Sequence, residues 1–320
     1  MRYRALLALT LIAALAAAGG ASAAPHAKNG LIIFSAVTPE EGAQLFTVRP
    51  NGHDLQQITH GPGEAVNPDW SSDGRTIVYE HDWDTETLCA TVDVVDPDTS
   101  NRVSLTSGMG GCQGQPAFTP WGAIVYENFD FATEDDGIWG MGGNGGDQHE
   151  IITPWPSASG FATDPNVSPS GMLTFSGTDF SLIGPTDPAL GLFGSDLSGN
   201  GFHELLPMNL DLAVKHDWAP DGKHIVVTTN ANFFDPSTTA NIATIRPDGS
   251  GLHYLTHYQS QDVKALVGSY SPDGKYIVFR LEDHGLYALM EMRSDGSHVR
   301  TILPFSTFRP RFIDWGPRAD

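Results

Sequence analysis

Tyr270-Ser271-Pro272-Asp273-Gly274-Lys275-Tyr276-Ile277-Val278-Phe279 is the stretch that decides the fold. Proline presets φ at the second turn position, Asp favours the bridge region at the third, and Gly takes the left-handed position that closes a three-residue hairpin with a bulge. The run that follows is apolar on both sides, which suits a strand sandwiched between neighbouring sheets. Working outward, Trp218-Ala219-Pro220-Asp221-Gly222 precedes His224-Ile225-Val226-Val227 in the same way. Looser copies are Val167-Ser168-Pro169-Ser170-Gly171 before Met172-Leu173-Thr174-Phe175, and Phe118-Thr119-Pro120-Trp121-Gly122 before Ala123-Ile124-Val125-Tyr126. The first is Asp69-Trp70-Ser71-Ser72-Asp73-Gly74 before Thr76-Ile77-Val78-Tyr79. The glycines at 74, 122, 171, 222 and 274 are spaced by 48, 49, 51 and 52 residues. One such unit cannot bury its own apolar faces, so the period implies an array that builds its core between neighbours.

Two weaker strands complete each unit. The third ends at another glycine turn, as in Leu45–Val48 before Asn51-Gly52 and Ile242–Ile245 before Asp248-Gly249. The fourth is short and often ends in Thr, as in Gln57-Ile58-Thr59 and Tyr254-Leu255-Thr256. Four antiparallel strands in about fifty residues is a propeller blade, and the fold class is all-β. The chain opens with a second strand lacking its first, Leu31–Ser35, and closes with a first strand lacking its second, Arg311–Trp315. Pairing these two yields a sixth blade and hides both sheet edges.

The phrases Trp-Ala-Pro-Asp-Gly-Lys-His-Ile-Val and Tyr-Ser-Pro-Asp-Gly-Lys-Tyr-Ile-Val, with the later Asp-Gly-Ser and Leu-Thr, resemble the TolB-type (PD40, WD40-like) repeat. The resemblance runs from Asn29 to Pro317 and implies a six-bladed propeller. TolB proteins carry an N-terminal α/β domain in addition, and this sequence has no stretch that corresponds to it.

Met1-Arg2-Tyr3-Arg4, an apolar stretch to Ala18 and Ala21-Ser22-Ala23 read as a secretory signal peptide over residues 1–23, cleaved near Ala23 and followed by the propeller over 24–320. The expected location is periplasmic or extracellular. Cys89 and Cys112 are the two cysteines, and in an exported chain they are expected to form one disulfide. Both fall where the second-to-third-strand loops and the inter-blade loops emerge, on one face. The formal charge is −21, from 38 acidic against 17 basic residues. That balance argues against nucleic acid and anionic membrane as partners and admits a basic peptide or a divalent cation. The chain is expected to be a monomer with no membrane insertion.

Hydrolase signals are absent from the sequence: there is no Gly-x-Ser-x-Gly elbow, His-Glu-x-x-His or Cys-x-x-Cys. Gly140-Met141-Gly142-Gly143-Asn144-Gly145 matches a dinucleotide fingerprint by letter but lies between strands and reads as a blade turn. His53, His149, His203, His253 and His298 recur near the outermost turns, where blades diverge, and read as solvated edge residues. Asp82-x-Asp84-x-Glu86 has the oxygen spacing of a calcium loop's start, but Thr87 stands at the glycine position and Asp93 at the terminal glutamate. No catalytic residue, resident metal or cofactor is assigned, although calcium is admitted.

The candidate site is the channel mouth. After the second strand, successive units carry Asp82-Trp83-Asp84, Phe129-Asp130-Phe131, Asp179-Phe180, Phe233-Phe234-Asp235 and Asp283-His284. Aromatics give flat apolar contact, and carboxylates select cations or hydrogen-bond donors. The alternative is that the aromatics pack under loops and the acids face water. The leading reading is a secreted, non-enzymatic binding or scaffold propeller with a protein or peptide partner. Its competitor is a metal-assisted glycan lyase or hydrolase, for which His81, His216 and His284 are the residues to recruit.

Overall fold

Each Ser-Pro-Asp-Gly-type turn closes as its residues require. Gly74, Gly122, Gly171, Gly222 and Gly274 donate their N–H to the residue three positions back at 2.7–3.0 Å, all with positive φ. In the best copies the turn aspartate is tied in: Ser71 Oγ donates to Asp73 Oδ1 at 2.6 Å, and Ser271 Oγ to Asp273 Oδ1 at 2.7 Å. The computed structural model describes residues 27–84, 89–98, 100–130, 132–155, 159–183, 189–231 and 238–319.

These hairpins organise six four-stranded antiparallel sheets. Blade 1 holds β1 (Asn29–Thr38), β2 (Gly42–Val48) and β3 (Gln56–Gln57). Blade 2 is β4 (Glu64–Trp70), β5 (Ile77–Asp84), β6 (Cys89–Val95) and β7 (Arg102–Ser104). Blade 3 is β8 (Cys112–Phe118), β9 (Ile124–Asp130), β10 (Asp135–Met141) and β11 (His149–Ile152). Blade 4 is β12 (Gly160–Val167), β13 (Met172–Asp179), β14 (Gly191–Asp196) and β15 (His203–Leu206). A one-turn helix, α1 (Phe180–Ile183), follows β13. Blade 5 is β16 (Asp217–Trp218), β17 (Ile225–Thr229), β18 (Asn241–Ile245) and β19 (His253–Tyr254). Blade 6 is β20 (Val263–Tyr270), β21 (Tyr276–Asp283), β22 (Leu286–Arg293) and β23 (Arg300–Ser306).

The last strand, β24 (Arg311–Pro317), completes blade 1 from the inside, as the sequence led us to expect. It pairs antiparallel with β1, Ile32 opposite Trp315 and Ile33 opposite Asp314. Closure buries Ile313 and Trp315, about 2 kcal/mol for each large apolar side chain. Gly316 is required there, because a Cβ would strike the indole of Trp70.

The apolar clusters lie between blades. Phe34 and Phe46 of blade 1 pack with Val278 and Leu289 of blade 6, and Val125 and Ile138 of blade 3 with Phe175 and Phe193 of blade 4. The expected disulfide is present: Cys89 at the start of β6 bonds to Cys112 at the start of β8, with Cα atoms 5.0 Å apart. It staples blades 2 and 3 on the face where the second-to-third-strand loops emerge, here called the loop face. The hairpins that connect first and second strands form the opposite, turn face. Among the described residues no helix is long and apolar enough to cross a membrane.

Candidate functional site: the central channel and its loop face

The innermost strands β4, β8, β12, β16, β20 and β24 contact one another in a closed ring around the axis. All but β16 carry a bulge at the same place, and four of these five have a residue in left-handed conformation there: Asn67, Gln115, Asp164 and Phe312, φ 47–50°. In three cases proline follows, Pro68, Pro116 and Pro165, removing an N–H that the bulge would otherwise leave unpaired.

Two residues after the bulge position stand Asp69, Ala117, Asn166, Asp217, Ser269 and Asp314. All of these side chains but Ala117 tie their blade to the next. Asp69 Oδ2 accepts the Phe118 N–H at 2.7 Å, Asp217 Oδ2 that of Tyr270 at 2.7 Å, and Asp314 Oδ2 that of Trp70 at 2.9 Å. Ser269 Oγ accepts the Trp315 N–H at 2.8 Å. Asn166 instead reaches the Asp217 carboxylate and the His216 carbonyl, both at 3.4 Å. Ala117 has nothing to offer. The Asp-Trp dipeptides at 69, 217 and 314 are therefore blade-to-blade ties.

Lys215 is the cation among these acids. Burial works to lower its pKa, but Asp164, Asp69, Asp314 and Asp217 outweigh it and hold the ammonium charged. Burial, reinforced by Asp314, still pushes Asp69 well above the carboxylate range and Asp217 up to about 7.

Toward the loop face the acids with raised pKa lie in blades 2 and 3. Glu80 Oε2 accepts from Asn67 Nδ2 at 2.7 Å and from the Gln115 N–H at 2.8 Å. Burial, with Glu80 beside it, raises Asp82 to about 8. Glu127 accepts from Thr163 Oγ1 at 2.7 Å, yet burial raises it to about 7. Burial and Glu127 raise Asp136 to about 9, and its Oδ1 has no hydrogen-bond partner among the described residues. Across the mouth, Arg280 and Arg309 share Glu282 Oε1 at 2.7 and 3.0 Å.

A polar cluster crosses from blade 4 to blade 5. Asp164 Oδ2 accepts the backbone N–H of His216 at 3.0 Å, His216 Nε2 lies 2.9 Å from Thr174 Oγ1, and the Trp218 indole N–H donates to the same hydroxyl at 2.9 Å. Thr174 is fully buried and His216 is 1% exposed, so no substrate reaches the hydroxyl. This is structure, not a nucleophile. The recruits for an enzyme stand apart: His216 here, His81 with Asp93 and Arg102, and His284 with Asp283 and Asp262. The three share no partner.

The sequence-expected rim residues fall as follows. Asp82 is half-buried in β5 opposite Glu64. Trp83 and Asp84 end that strand, and their side chains lie outside the described residues, as do Glu86, Phe131, Phe233, Phe234 and Asp235. Phe129 is half-buried opposite Cys112 and Asp136, and Asp130 is exposed, its Oδ1 accepting the Ala132 N–H at 2.7 Å. Asp179 caps the short helix by accepting from the Ser181 N–H at 2.8 Å, and Phe180 packs 6.0 Å from the ring of Phe161. His284 is exposed with φ 49°, its Nδ1 2.5 Å from Asp283 Oδ1; that contact raises its pKa. Asp93, last in the calcium-like spacing, is fully buried and turned to His81 and Arg102. Among the described residues no three His, Cys, Asp or Glu side chains are grouped to hold a metal ion. The recurrent His53, His149, His203, His253 and His298 are all exposed at outer edges.

No family model matches the chain. A 37-residue segment is 51% identical to the Tol-Pal system protein TolB of Nitratidesulfovibrio vulgaris, covering 12% of this chain and 8% of that protein. The crystal structure of TolB from Acinetobacter baumannii matches at a TM-score of 0.68 and 18% identity, over 90% of this chain and 67% of that one. A chain from a nidogen/laminin complex matches at 0.64 and 11% identity, over 90% of this chain and 98% of its own length. At these identities the likeness is one of fold: a six-bladed propeller of the TolB type.

Proposed function

We propose that this TolB-type propeller is an exported, non-enzymatic interaction module that takes a protein or peptide partner on its loop face. The observation that carries the reading is where polar groups are spent. Asp69, Asp217, Asp314, Glu80 and Glu127 are engaged in ties between blades, and His216 is sealed in one. What remains presented is the rim, where Phe129, Asp130, Phe180, Asp283 and His284 combine half-buried aromatics with charge. Such a mixture suits a protein surface with a few aromatic anchors. Two of the likenesses lean the same way, a short matched segment of a protein named for the Tol-Pal system and a chain from a nidogen/laminin complex, although enzymes share the fold as well. Export is supported by the Cys89–Cys112 bridge and the signal-like residues 1–23. The excess of acid favours a basic segment in the partner. The propeller works as a monomer in this reading.

The test is affinity capture from the envelope of the secreting cell with residues 24–320 as bait. Replacing Trp83, Phe180 and Phe233 by Ala should remove a stoichiometric partner, each anchor being worth about 2 kcal/mol, with the thermal midpoint little changed. Trp121, 56% exposed on the turn face, is the control. Loss of capture on Trp121→Ala alone would move the site to the other face.

A further inference from the structure

Blade 2 breaks the repeat at one buried position. In the other blades the third-strand residue at this place is apolar: Phe46 opposite Phe34, Trp139 opposite Tyr126, Phe193 opposite Phe175, Ala243 opposite Val227 and Met290 opposite Phe279. In blade 2 it is Asp93, opposite Tyr79, with none of its surface exposed. Thr91 Oγ1 donates to Asp93 Oδ1 at 2.9 Å, while His81 Nδ1 and Arg102 Nε stand 3.4 and 3.3 Å from Oδ2. Arg102 Nη1 lies 3.2 Å from His81 Nε2. Above this group a cavity of about 350 Å³ opens between blades 1 and 2. Gln44, Thr59, Tyr79, His81 and Arg102 line it, with Ile58 and Val95 as apolar wall.

An acid buried where five blades place hydrocarbon is costly unless something is gained. Positions that break an otherwise consistent local rule concentrate at functional sites. Here the acid positions a guanidinium. His81 Nε2 pairs with Arg102 Nη1, and Arg102 Nε lies within ion-pair reach of Asp93 Oδ2, which makes no hydrogen bond among the described residues; the arginine side chain remains 46% exposed. A cation entering would meet a charge already matched to Asp93. A purely apolar solute would leave the polar floor unpaired. A carboxylate meets the planar fork that pairs with it best, beside an apolar wall.

We propose that this inter-blade cavity is a binding site for a small organic carboxylate, with Arg102 as the charge-pairing residue and Asp93 and His81 as positioning residues. The site is separate from the loop-face rim, so either stands or falls alone. Benzoate is a probe that fits the volume, and benzyl alcohol is its neutral counterpart. Calorimetric titration of the intact protein should show saturable benzoate binding, with benzyl alcohol weaker by about tenfold or more. Arg102→Met should weaken benzoate by a similar factor, with the folding midpoint recorded alongside. Asp93→Phe, which installs the residue found at 46 and 193, should abolish benzoate binding by filling the cavity and releasing the arginine. Benzoate that fails to saturate, binds no better than benzyl alcohol, or binds Arg102→Met as it binds the wild type overturns the proposal. The wild-type comparison of the two probes decides the matter even where a variant does not fold.

Discussion

Blades 2 and 4 meet the same packing problem with their chemistry reversed. On the face toward the preceding blade, blade 2 sets Asp93 opposite Tyr79, and blade 4 sets Phe193 opposite Phe175 among Trp155 and Phe202. On the face toward the following blade, blade 2 offers Val78 to an apolar cluster, whereas blade 4 offers Thr174 to His216 and Trp218. The backbone pairing is the same in both. The repeat therefore fixes where a side chain points and leaves open whether it is apolar or polar.

The largest effect should come from forcing one blade's solution on the other. Phe193→Asp places a carboxylate among aromatic rings with no guanidinium beside it, and should cost about 4 kcal/mol or more in a urea unfolding titration. A cost under about 1 kcal/mol would break the comparison, because the site would then tolerate acid without its escorts. Thr174→Val converts blade 4 to the Val78 arrangement and strands His216 Nε2 and the Trp218 indole N–H. Here about 2 kcal/mol is expected by the same measurement.

The two blades also differ in protons. Blades 2 and 3 carry Glu80 and Glu127 where blade 4 has Ser176, and the raised acids Asp82, Glu127 and Asp136 cluster with them. A carboxyl whose folded pKa lies above its unfolded value holds its proton when folded and releases it on unfolding. Its contribution is full below about pH 4 and fades as pH climbs to the folded value: about 7 for Glu127 and Asp217, 8 for Asp82 and 9 for Asp136. The free energy of unfolding should fall between pH 5 and pH 9, by up to about 1.4 kcal/mol per pH unit for a single such group, and the melting temperature should fall with it. Asp136→Asn should flatten the alkaline end, and an unchanged slope would remove Asp136 from the account. The smallest effect sharpens the comparison. The Trp315 indole N–H is buried without a partner among the described residues and packs in the cluster containing Val278, the counterpart of Thr174. Val278→Thr should gain up to about 1 kcal/mol if the hydroxyl serves Trp315 as Thr174 serves Trp218.

How much of this was legible in the sequence depends on range. The hairpin turns are local, so Pro272-Asp273-Gly274 and its copies announced the blades, and the unpaired strands at Leu31 and Arg311 announced the closure. The Cys89–Cys112 bridge followed from two cysteines and a shared face. The Asp-Trp dipeptides were equally visible, but their meaning is a hydrogen bond to a strand 49 or 53 residues away, which no local pattern encodes. In the linear sequence Asp93 is only the residue that stands where a calcium loop has its terminal glutamate. Its true setting emerges only when third strands are aligned by the partner each one faces. The rim residues were found by their place after the second strand; their side-chain arrangement depends on loop paths that strand periodicity does not determine.

The closing strand has one more consequence. With the N–H of Arg318 bonded to the carbonyl of Lys28 and β24 lying against β1, residues at opposite extremes of the described chain are neighbours in space. The order in which the blades are strung is then a matter of covalent bookkeeping, not of architecture. A circular permutant that joins these neighbours and opens the hairpin at Pro220–Lys223 would keep all six sheets, exchanging a hydrogen-bonded seam in blade 1 for one in blade 5.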